Sequence, residues 1–521
     1  MLSLDWTYQI EQRLPFAPTE GQHEAIVRFS EFMCAGMPNT HQSSPVMLVR
    51  GSAGTGKTSV ARAIVNGMKA MRQKVVLLAP TGRAAKVFSQ GISHKAYTIH
   101  RRIYRQQAYM GSFELNNNMH TDTLFIVDEA SMVSHGSFAD TADTFGSGNL
   151  LDDLIRFVYS GRNCRLMLIG DTAQLPPIGC EEAPALHSDF IAGYGLEVFD
   201  YDLMEVLRQS QESGILHNAT MLRSLITHDD ITELPKISFC GFADISICHG
   251  NELIEQLENS YANVGHDETI VITRSNKRAN IYNNGIRNRV LWYEEELCSG
   301  DELMIVKNNY FWTASTSTSP CSAPSTPATV SSAPSTVSSA PATVSSASTL
   351  DSPSAPPPNT PSFLANGDRC IVRRVRHQRE LYGFHFADVT VRFPDYDDYE
   401  MEATVILDTL QSEAPALTRD QQTMLFNNIM EDYADIPLKQ DRYNKMRSDE
   451  HFNALQIKYA YAVTCHKAQG GQWAHVYIDQ GYMTDDMLTP SYIHWLYTAF
   501  TRATMHLYLV NWPKEQTEGN S

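Results

Sequence analysis

A glycine-rich loop stands between an apolar run and a helical stretch near the start of the chain. It follows the predicted strand Val46–Arg50 and precedes the predicted helix Ser59–Met71. Glycines let backbone N–H groups close around a phosphate, and the start of a helix adds positive potential. The lysine can reach the β and γ phosphates of a nucleotide, and the last threonine can supply a hydroxyl to Mg²⁺. The loop therefore predicts a site for a nucleoside triphosphate and Mg²⁺, formed by Gly51, Ser52, Ala53, Gly54, Thr55, Gly56, Lys57 and Thr58.

Two adjacent carboxylates follow a later apolar strand. The run Leu124-Phe-Ile-Val ends in Asp128 and Glu129. At the end of a buried strand, Asp128 can hold Mg²⁺, while Glu129 can orient and polarise an attacking water. An isolated Asp-Glu pair is more often a solvated strand end. Because this pair follows the loop by about one βαβαβ stretch, it is more typical of a Walker B motif. A kinase would not need the second carboxylate as a base for water, so hydrolysis of the nucleotide is predicted.

Two glutamines are further candidates, and each has a structural alternative. Gln174, in Gly170-Asp-Thr-Ala-Gln-Leu-Pro-Pro177, is uncharged and can contact a γ-phosphate, although a polar turn ended by prolines is equally compatible. Gln22 closes Thr19-Glu-Gly-Gln, which fits a helix capping box. Its amide offers both a donor and an acceptor and can instead read the edge of an adenine. From the residues alone, the cap is the favoured interpretation.

The elements that must position these residues alternate between strand-length apolar runs and helical stretches. This βαβ pattern, typical of a parallel sheet, occupies the first 200 residues and returns late in the chain. Two α/β sheets are therefore expected, separated by a region that favours β structure from about residue 296. The predicted strands are Val46–Arg50, Val75–Pro80, Leu124–Asp128, Arg165–Asp171, Thr269–Thr273, Asp388–Phe393, Met401–Leu407, Tyr459–Thr464, His475–Asp479 and His506–Asn511.

A low-complexity segment interrupts the β region. Thr313 to Ser362 consists almost wholly of Ser, Thr, Ala and Pro and carries one charge, Asp351. The sequence Thr-Val-Ser-Ser-Ala-Pro starts at Thr329 and again at Thr336. Such a composition cannot bury enough apolar surface to offset chain entropy, so disorder is predicted. The alternative, a mucin-like stalk, would require a secretion signal.

Composition narrows the class of protein. A chain of 521 residues with 42% hydrophobic residues predicts several globular domains. It contains no apolar run long enough to cross a membrane, and its first residues lack a signal-peptide pattern. A cytoplasmic protein without a membrane partner is therefore expected. The 9 cysteines form no CxxC pair, which favours reduced thiols over a zinc site.

The formal net charge of −18 argues against a nucleic-acid partner. A phosphate track needs only a local basic stripe, however, because global charge is a weak guide to local potential. One such run of arginines lies in the β region, and a solvated strand face explains it about as well. Its members are Arg369, Arg373, Arg374, Arg376 and Arg379.

Taken in order, the motifs resemble those of superfamily 1 helicases, specifically the group of RecD-like and Dda-like DNA helicases. The resemblance covers nearly the whole chain except the Ser/Thr/Ala/Pro segment. Gly-Asp-x-x-Gln-Leu-Pro-Pro and Thr-x-His-Lys-x-Gln-Gly are typical of this group, although Cys465 in the second replaces the usual Ile or Val. The matching segments are Phe16–Gln22 (Q motif), Gly51–Thr58 (I), Ala79–Lys86 (Ia), Tyr97–His100 (Ib), Asp128–Ser131 (II), Gly170–Pro177 (III), Val206–Gln209 (IV), Thr464–Gly471 (V) and Tyr497–Ala503 (VI).

The resemblance implies both a fold and a function. The fold class is α/β, with two RecA-like P-loop domains of parallel sheets, a small β-hairpin pin and an SH3-like β domain inserted in the second. The implied function is ATP-dependent translocation on single-stranded DNA, in the 5′ to 3′ direction, with unwinding of DNA forks. Such enzymes serve DNA repair, recombination or replication, and the implied cofactors are ATP and Mg²⁺.

The resemblance also implies roles for individual residues. Arg208 and Arg502 match arginine fingers that reach ATP from the second domain, and Gly471 matches a residue beside the nucleotide. The Q-motif match favours adenine binding by Gln22 over the cap alone, and the two roles are compatible. The DNA contacts implied by motif or by the position of the pin are Thr81, His100, Tyr109, Phe113, Thr464 and His466.

Domain boundaries and alternative functions complete the prediction. The first RecA-like domain is expected at 1–207 with the pin at 104–121, and the second at 208–295 and 452–521. The SH3-like domain is expected at 296–451 with the disordered insert at 313–362. The nearest alternative is a superfamily 1 translocase or RNA-directed helicase that does not unwind DNA. An alternative of another class is a nucleotide-dependent switch or scaffold without motor activity, which motifs V and VI disfavour.

Overall fold

Two parallel α/β sheets and a closed β-barrel make up the chain. The structure is a computed structural model, and it describes residues 2–36, 43–106, 113–136, 146–177, 179–205, 213–228, 231–239, 241–315 and 363–518. Within these ranges, no helix combines the length and the apolar character needed to cross a membrane.

The first sheet has six parallel strands, and helices pack against both of its faces. Strands covered on both faces must be continuously apolar, which is why the buried runs predicted from the sequence form its centre. The elements of this half are α1 (Leu2–Glu11), α2 (Glu20–Cys34), β1 (Pro45–Gly51), α3 (Lys57–Ala70), β2 (Lys74–Ala79), α4 (Gly82–Ile92), β3 (Ala96–Thr98), α5 (Ile99–Ile103), β4 (Tyr104–Gln106), β5 (Phe113–Leu115), β6 (Thr123–Val127), α6 (Leu150–Ser160), β7 (Arg165–Gly170), α7 (Ser188–Ala192) and β8 (Glu197–Leu203). The strand order is β3-β2-β6-β7-β1-β8.

The rest of the chain builds a second parallel sheet and the barrel. Its elements are α8 (Gly214–His228), β9 (Ile237–Ser238), β10 (Ile245–Cys248), α9 (Leu253–Asn263), β11 (Thr269–Thr273), α10 (Asn276–Arg289), β12 (Glu302–Ile305), α11 (Phe311–Ser315), β13 (Arg369–Leu381), β14 (Phe384–Phe393), β15 (Tyr399–Ile406), α12 (Asp408–Gln411), α13 (Arg419–Asp432), α14 (Lys439–Arg447), β16 (Leu455–Tyr459), β17 (Ala462–Thr464), α15 (Cys465–Ala468), β18 (Trp473–Asp479), α16 (Pro490–Phe500), β19 (Ala503–Val510) and β20 (Thr517–Glu518). The second sheet has the order β10-β19-β18-β11-β17, and β12 to β16 close the barrel.

This arrangement confirms the predicted fold class. Two parallel sheets are present, and the barrel lies in the chain between β11 and β17 of the second sheet. The short antiparallel pair β4–β5 falls within the segment predicted as a pin, and its register joins Tyr104 to Leu115. The residue boundaries given above for the domains stay predictions.

Two local expectations are wrong. Tyr459–Thr464, predicted as one strand, is divided between barrel strand β16 and sheet strand β17. Leu303 pairs with Tyr459 in the barrel, whereas Val271 pairs with Ala462 in the second sheet, so the chain changes sheet at this point. The helices α13 and α14 interrupt the region that was expected to be β throughout.

The strand order brings the candidate residues of the first domain together. Strands β6, β7 and β1 are neighbours in the sheet, and all three run in the same direction. The glycine-rich loop, the Asp128–Glu129 pair and the Asp171–Gln174 turn each follow the carboxyl end of one of these strands. They therefore meet at one edge, where open parallel sheets bind ligands.

The segments that flank the low-complexity insert pair with each other. Asn309 and Leu364 exchange backbone hydrogen bonds, with N–O distances of 2.8 Å from Asn309 N and 2.7 Å from Leu364 N. Strands β12 and β13 then pair antiparallel with Leu303 opposite Cys370. The two flanks are therefore held together by backbone pairing at Asn309 and Leu364 and along β12 and β13.

Deleting Ala314 to Pro361 is expected to leave solubility and the thermal unfolding midpoint nearly unchanged. The paired flanks remain, and the deleted residues have a composition that cannot form a core. Replacing the same residues with a Gly/Ser linker of equal length is the control. Loss of soluble protein in the deletion variant, but not in the linker variant, would show that the insert's length is structurally required.

Candidate active site between the two sheets

The glycine-rich loop connects the end of β1 to the start of α3. Gly54 and Gly56 have φ angles of 79° and 85°, in the left-handed region that glycine adopts without strain. A Cβ atom on Gly51 would lie 2.8 Å from Thr55 Oγ1, so a side chain there would displace the loop. The path of the backbone therefore requires glycine at these positions, and it ends at the free N–H groups of the first turn of α3.

Lys57 and Thr58 stand at the first two positions of α3. Lys57 Nζ donates to Gly51 O at 2.7 Å and to Ser52 O at 2.8 Å, so its ammonium lies across the loop. Thr58 is exposed at the same edge of the sheet. The cation and the adjacent hydroxyl therefore lie side by side at the loop, and their roles toward phosphate and Mg²⁺ stay predictions.

Asp128 and Glu129 leave the end of β6 with different surroundings. Asp128 Oδ1 accepts a hydrogen bond from Glu129 N at 3.0 Å. Desolvation and then the charge of Glu129 raise the pKa of Asp128 to about 7. A nearby cation favours the charged form of such a carboxylate, so binding of Mg²⁺ would lower this pKa. Glu129 itself has a φ of 52°, an unusual conformation for a residue with a side chain.

Gln174 and Arg502 join Glu129 in a cluster that combines both sheets. Arg502, which follows α16, is 2% exposed, and its Nη1 lies 4.0 Å from Glu129 Oε1. With the Gln174 amide oriented to satisfy both neighbours, its nitrogen donates to Glu129 Oε2 at 3.3 Å and its oxygen accepts from Arg502 Nη2 at 3.3 Å. The first sheet's carboxylate is therefore linked to the second sheet's guanidinium through an uncharged amide.

Glu129→Gln is expected to keep nucleotide affinity and to lower single-turnover hydrolysis by roughly 10²–10⁴, the usual contribution of a general base. The candidate metal ligands Asp128 and Thr58 are unchanged in this variant, while the amide cannot accept a proton from water. Binding is measured with a fluorescent ATP analogue. Glu197→Gln, an exposed carboxylate on β8, is the matched control. A collapse of nucleotide affinity in Glu129→Gln would show instead that Glu129 is a ligand.

Gln22 forms the predicted capping box, and its adenine-binding role stays a prediction. Its backbone N–H donates to Thr19 Oγ1 at 3.3 Å, and its side-chain Oε1 accepts from Thr19 N at 3.3 Å, which is the predicted capping box. The side chain is fully buried, and among the described residues its Nε2 has no hydrogen-bond partner. A buried amide N–H without a partner is costly, so it fits a ligand that offers an acceptor.

The candidate strand-contacting residues lie on both sides of the domain contact. Thr81 Oγ1 caps α4 by accepting from Ala84 N at 3.2 Å. A Cβ atom on Gly470, in the second domain, would lie 3.3 Å from this hydroxyl. Thr464 is half-buried and His466 is exposed on the same segment as Gly470. Burial lowers the pKa of His100 to about 4, so its ring is neutral and suits a stacking or hydrogen-bonding role better than a charge.

Three candidates cannot be placed. Arg208 and Tyr109 lie outside the described residues. The backbone of Phe113 belongs to β5, but its side chain lies outside the described part of the structure. The roles of these residues stay predictions. Gly471 is described, and its carbonyl oxygen accepts from Arg502 Nη1 at 3.2 Å.

Comparison with known proteins agrees with the motifs. Residues 35–232 match the family described as an AAA domain, and residues 459–510 match the UvrD-like helicase C-terminal domain. The chain is 30% identical over 136 residues to the ATP-dependent RecD2 DNA helicase of Deinococcus radiodurans. These matches support the resemblance of the chain to the RecD-like helicases of superfamily 1.

The match to individual relatives of this RecD-like chain is partial. The stretch shared with the Deinococcus protein covers 26% of the chain and 16% of that relative. An uncharacterized protein of Methanocaldococcus jannaschii is 31% identical over 153 residues, which is 26% of the chain and 12% of the relative. The chain therefore spans only a small part of the length of these relatives.

Two solved structures of Pif1 helicases align with nearly the whole chain over nearly their whole length. A crystal structure of Pif1 helicase from Bacteroides in complex with ADP-AlF3 and ssDNA covers 97% of the RecD-like chain and 95% of its own, with a TM-score of 0.45 and 14% identity. For Pif1 helicase from Candida albicans the shares are 97% and 97%, with a TM-score of 0.38 and 14% identity.

The arginine run of the RecD-like chain is mostly neutralised, in agreement with a solvated strand face. Arg369 pairs with Glu302 on the neighbouring barrel strand β12. Arg373 and Arg376 lie 3.4 Å and 3.3 Å from carboxylates of Glu400 and Glu402 on β15. Arg379 contacts Asp388 at 2.9 Å. Ion pairs to four of the five arginines favour the solvated strand face, and the basic stripe stays a prediction.

Sequence motifs of the RecD-like family missed several residues at this site. Tyr497, Asp171 and Arg223 contact the glycine-rich loop or each other, and none was singled out. The first two stand inside motifs VI and III, where their position was a usable signal. Arg223 lies on α8 outside every motif, so only the folded structure places it beside the loop.

Proposed function

We propose that this RecD-like chain hydrolyses ATP between its two sheets and uses the cycle to move along single-stranded DNA. The observation that carries the proposal is the cluster of Glu129, Gln174 and Arg502, in which both sheets contribute to one site. A reaction that needs groups from both sheets depends on how the sheets are placed. Turnover is then coupled to domain movement.

The residues present fit ATP and Mg²⁺. The loop offers backbone N–H groups and the Lys57 ammonium for phosphates, and Gln22 offers a buried amide N–H without a partner among the described residues. Thr58 and Asp128 are oxygen donors, which Mg²⁺ prefers. When bound, Mg²⁺ would neutralise phosphate charge at this edge of the sheet.

The chain's own groups then divide the chemistry. Glu129 accepts the proton of the attacking water, because a carboxylate within reach of water can act as its base. Arg502 stabilises the charge that develops on the transferring phosphoryl group. Gln174 lies between Glu129 of the first sheet and Arg502 of the second. If its amide also contacts the γ-phosphate, loss of that phosphate alters the hydrogen bonds that join the two sheets.

The proposed substrate track runs across both domains. Thr81 on the first and the segment of Thr464 and His466 on the second approach each other at Gly470, which suits contact with consecutive phosphates of one strand. Translocation from 5′ to 3′, unwinding of forks at the pin and a role in DNA repair, recombination or replication are proposed from the family resemblance. A cytoplasmic location is proposed on the same ground.

ATP turnover measured with and without single-stranded DNA tests the proposal. We expect turnover to rise severalfold with DNA, because strand binding across both domains favours the closed arrangement of Glu129 and Arg502. The same measurement with single-stranded RNA separates a DNA-directed from an RNA-directed enzyme. If neither DNA nor RNA changes turnover, the result would favour a nucleotide-dependent switch and contradict the proposed motor function.

A further inference from the structure

The second domain contacts the glycine-rich loop directly at two consecutive residues. Ala53 N donates to the hydroxyl of Tyr497, on α16, at 3.0 Å. Arg223 Nη1, on α8, donates to Ser52 Oγ at 2.9 Å. Ser52 O in turn accepts from Lys57 Nζ and from Thr55 Oγ1. The first half of the loop is therefore held by helices of the other sheet as well as by its own residues.

The hydrogen-bond directions at Tyr497 are fixed by its neighbours. Its hydroxyl donates to Asp171 Oδ2 at 2.5 Å, and the other oxygen of Asp171 accepts from Ala173 N at 3.0 Å. Tyr497 and Asp171 are each 1% exposed. Burial and the adjacent carboxylate raise the pKa of Tyr497 well above its ordinary value, so the hydroxyl keeps its proton. One neutral phenol thus joins the loop, the motif III turn and α16.

The surrounding contacts make Tyr497 part of a larger seam between the domains. Thr498 Oγ1 accepts from Leu175 N at 2.8 Å, and His494 Nδ1 lies 2.9 Å from Ala173 O. These two residues bind the 171–175 turn, whereas Tyr497 reaches beyond it to the loop itself. A shift of α16 relative to the first sheet would therefore act on the backbone at Ala53.

We propose that Tyr497 is a positioning residue for the phosphate-binding loop and that Arg223 assists it at Ser52. Together they fix the Ser52–Ala53 backbone from the second domain, so the shape of the loop depends on the placement of the two sheets. For its consequence in ATP turnover the proposal rests on the proposed function. The contact itself involves only residues of the chain.

Hydrogen–deuterium exchange of the peptide spanning residues 46–58 tests this in the full chain without nucleotide. In Tyr497→Phe the ring still packs, but Ala53 N–H loses its acceptor, and we expect its exchange to be about tenfold faster. Tyr492→Phe is the matched control on the same helix, because the Tyr492 hydroxyl donates to Gln480 within the second domain, at 2.5 Å. Its loop exchange should equal that of the unmodified protein.

Binding of a fluorescent ATP analogue with Mg²⁺ supplies a second readout. A loop that is less ordered before binding must lose more freedom on binding, so Tyr497→Phe should weaken affinity severalfold while Tyr492→Phe does not. Arg223→Gln should accelerate exchange of the same peptide, and adding Ser52→Ala to it should produce little further change, since both alter one hydrogen bond.

Two outcomes would overturn the proposal. The first is loop exchange in Tyr497→Phe that matches the unmodified protein. The second is equal acceleration in Tyr497→Phe and Tyr492→Phe, which would assign both to general packing of α16. Exchange is measured without DNA, so this test is independent of the proposed motor function. If DNA does not stimulate turnover, the motor function is contradicted, but the contact can still be confirmed.

Discussion

Replacing Lys57 with alanine is expected to reduce ATP turnover to background while the protein stays folded. Lys57 is half-exposed at the first position of α3, and among the described residues its Nζ donates to the carbonyl oxygens of Gly51 and Ser52. No core residue depends on it, so the thermal unfolding midpoint should be nearly unchanged. The loss of turnover is expected from the proposed role of its ammonium as the loop's cation for the β and γ phosphates.

Lys69→Ala controls for the loss of one positive charge on the same helix. Lys69 is exposed in the last turn of α3, remote from the loop, and its removal should leave turnover intact. Unchanged turnover in Lys57→Ala, with a normal unfolding midpoint, would remove the glycine-rich loop as the nucleotide site.

Replacing Arg502 with alanine is expected to lower DNA-stimulated turnover by roughly 10³–10⁵, with little change in ATP affinity. The guanidinium lies 4.0 Å from Glu129 and contacts Gln174, which is where the proposed reaction would develop charge. A group that acts mainly in the transition state lowers kcat and kcat/KM together and leaves binding nearly intact.

The fold must be checked separately for this variant. Arg502 also donates to Thr498 O at 3.0 Å and Gly471 O at 3.2 Å within its own domain, so its loss can lower stability. Arg502→Lys keeps a charge without the planar fork and should still lose most turnover. Arg289→Ala, exposed at the end of α10, is the surface control. Normal turnover with a large loss of ATP affinity would contradict the arginine-finger role.

The first sheet could be predicted because its signals are local. The apolar runs at Val46–Arg50, Leu124–Asp128 and Arg165–Asp171 correspond within about a residue to β1, β6 and β7. Once parallel strands are assumed, the residues after each strand must meet at one edge, so the proximity of the loop, Asp128 and Gln174 followed from the sequence.

Features that depend on distant pairing could not be predicted. Tyr459–Thr464 is one apolar run. Only its strand pairing, with Leu303 in the barrel and Val271 in the second sheet, shows that it contributes to both. Helices α13 and α14 bury few side chains, among them Leu425, Ile429 and Met446, so their periodic signal is weak. The charges of the arginine run were visible, but the carboxylates opposite them on β15 were not.

The contacts between domains were the least accessible to sequence reasoning. Tyr497 and Ala53 are 444 positions apart in the chain, and a tyrosine in an apolar helix normally indicates packing. Its hydroxyl matters only because α16 lies against the first sheet. Arg223 likewise has no sequence neighbour that suggests a nucleotide.

Displacement of streptavidin from biotin-labelled single-stranded DNA tests the central claim, movement along a strand driven by ATP, most directly. Biotin is placed at either end of the same oligonucleotide, and release is followed with ATP, with Lys57→Ala as the inactive control. We expect fast ATP-dependent release from the 3′ end, slow release from the 5′ end, and background release with Lys57→Ala. Background release from both ends by protein that hydrolyses ATP normally would contradict translocation on single-stranded DNA.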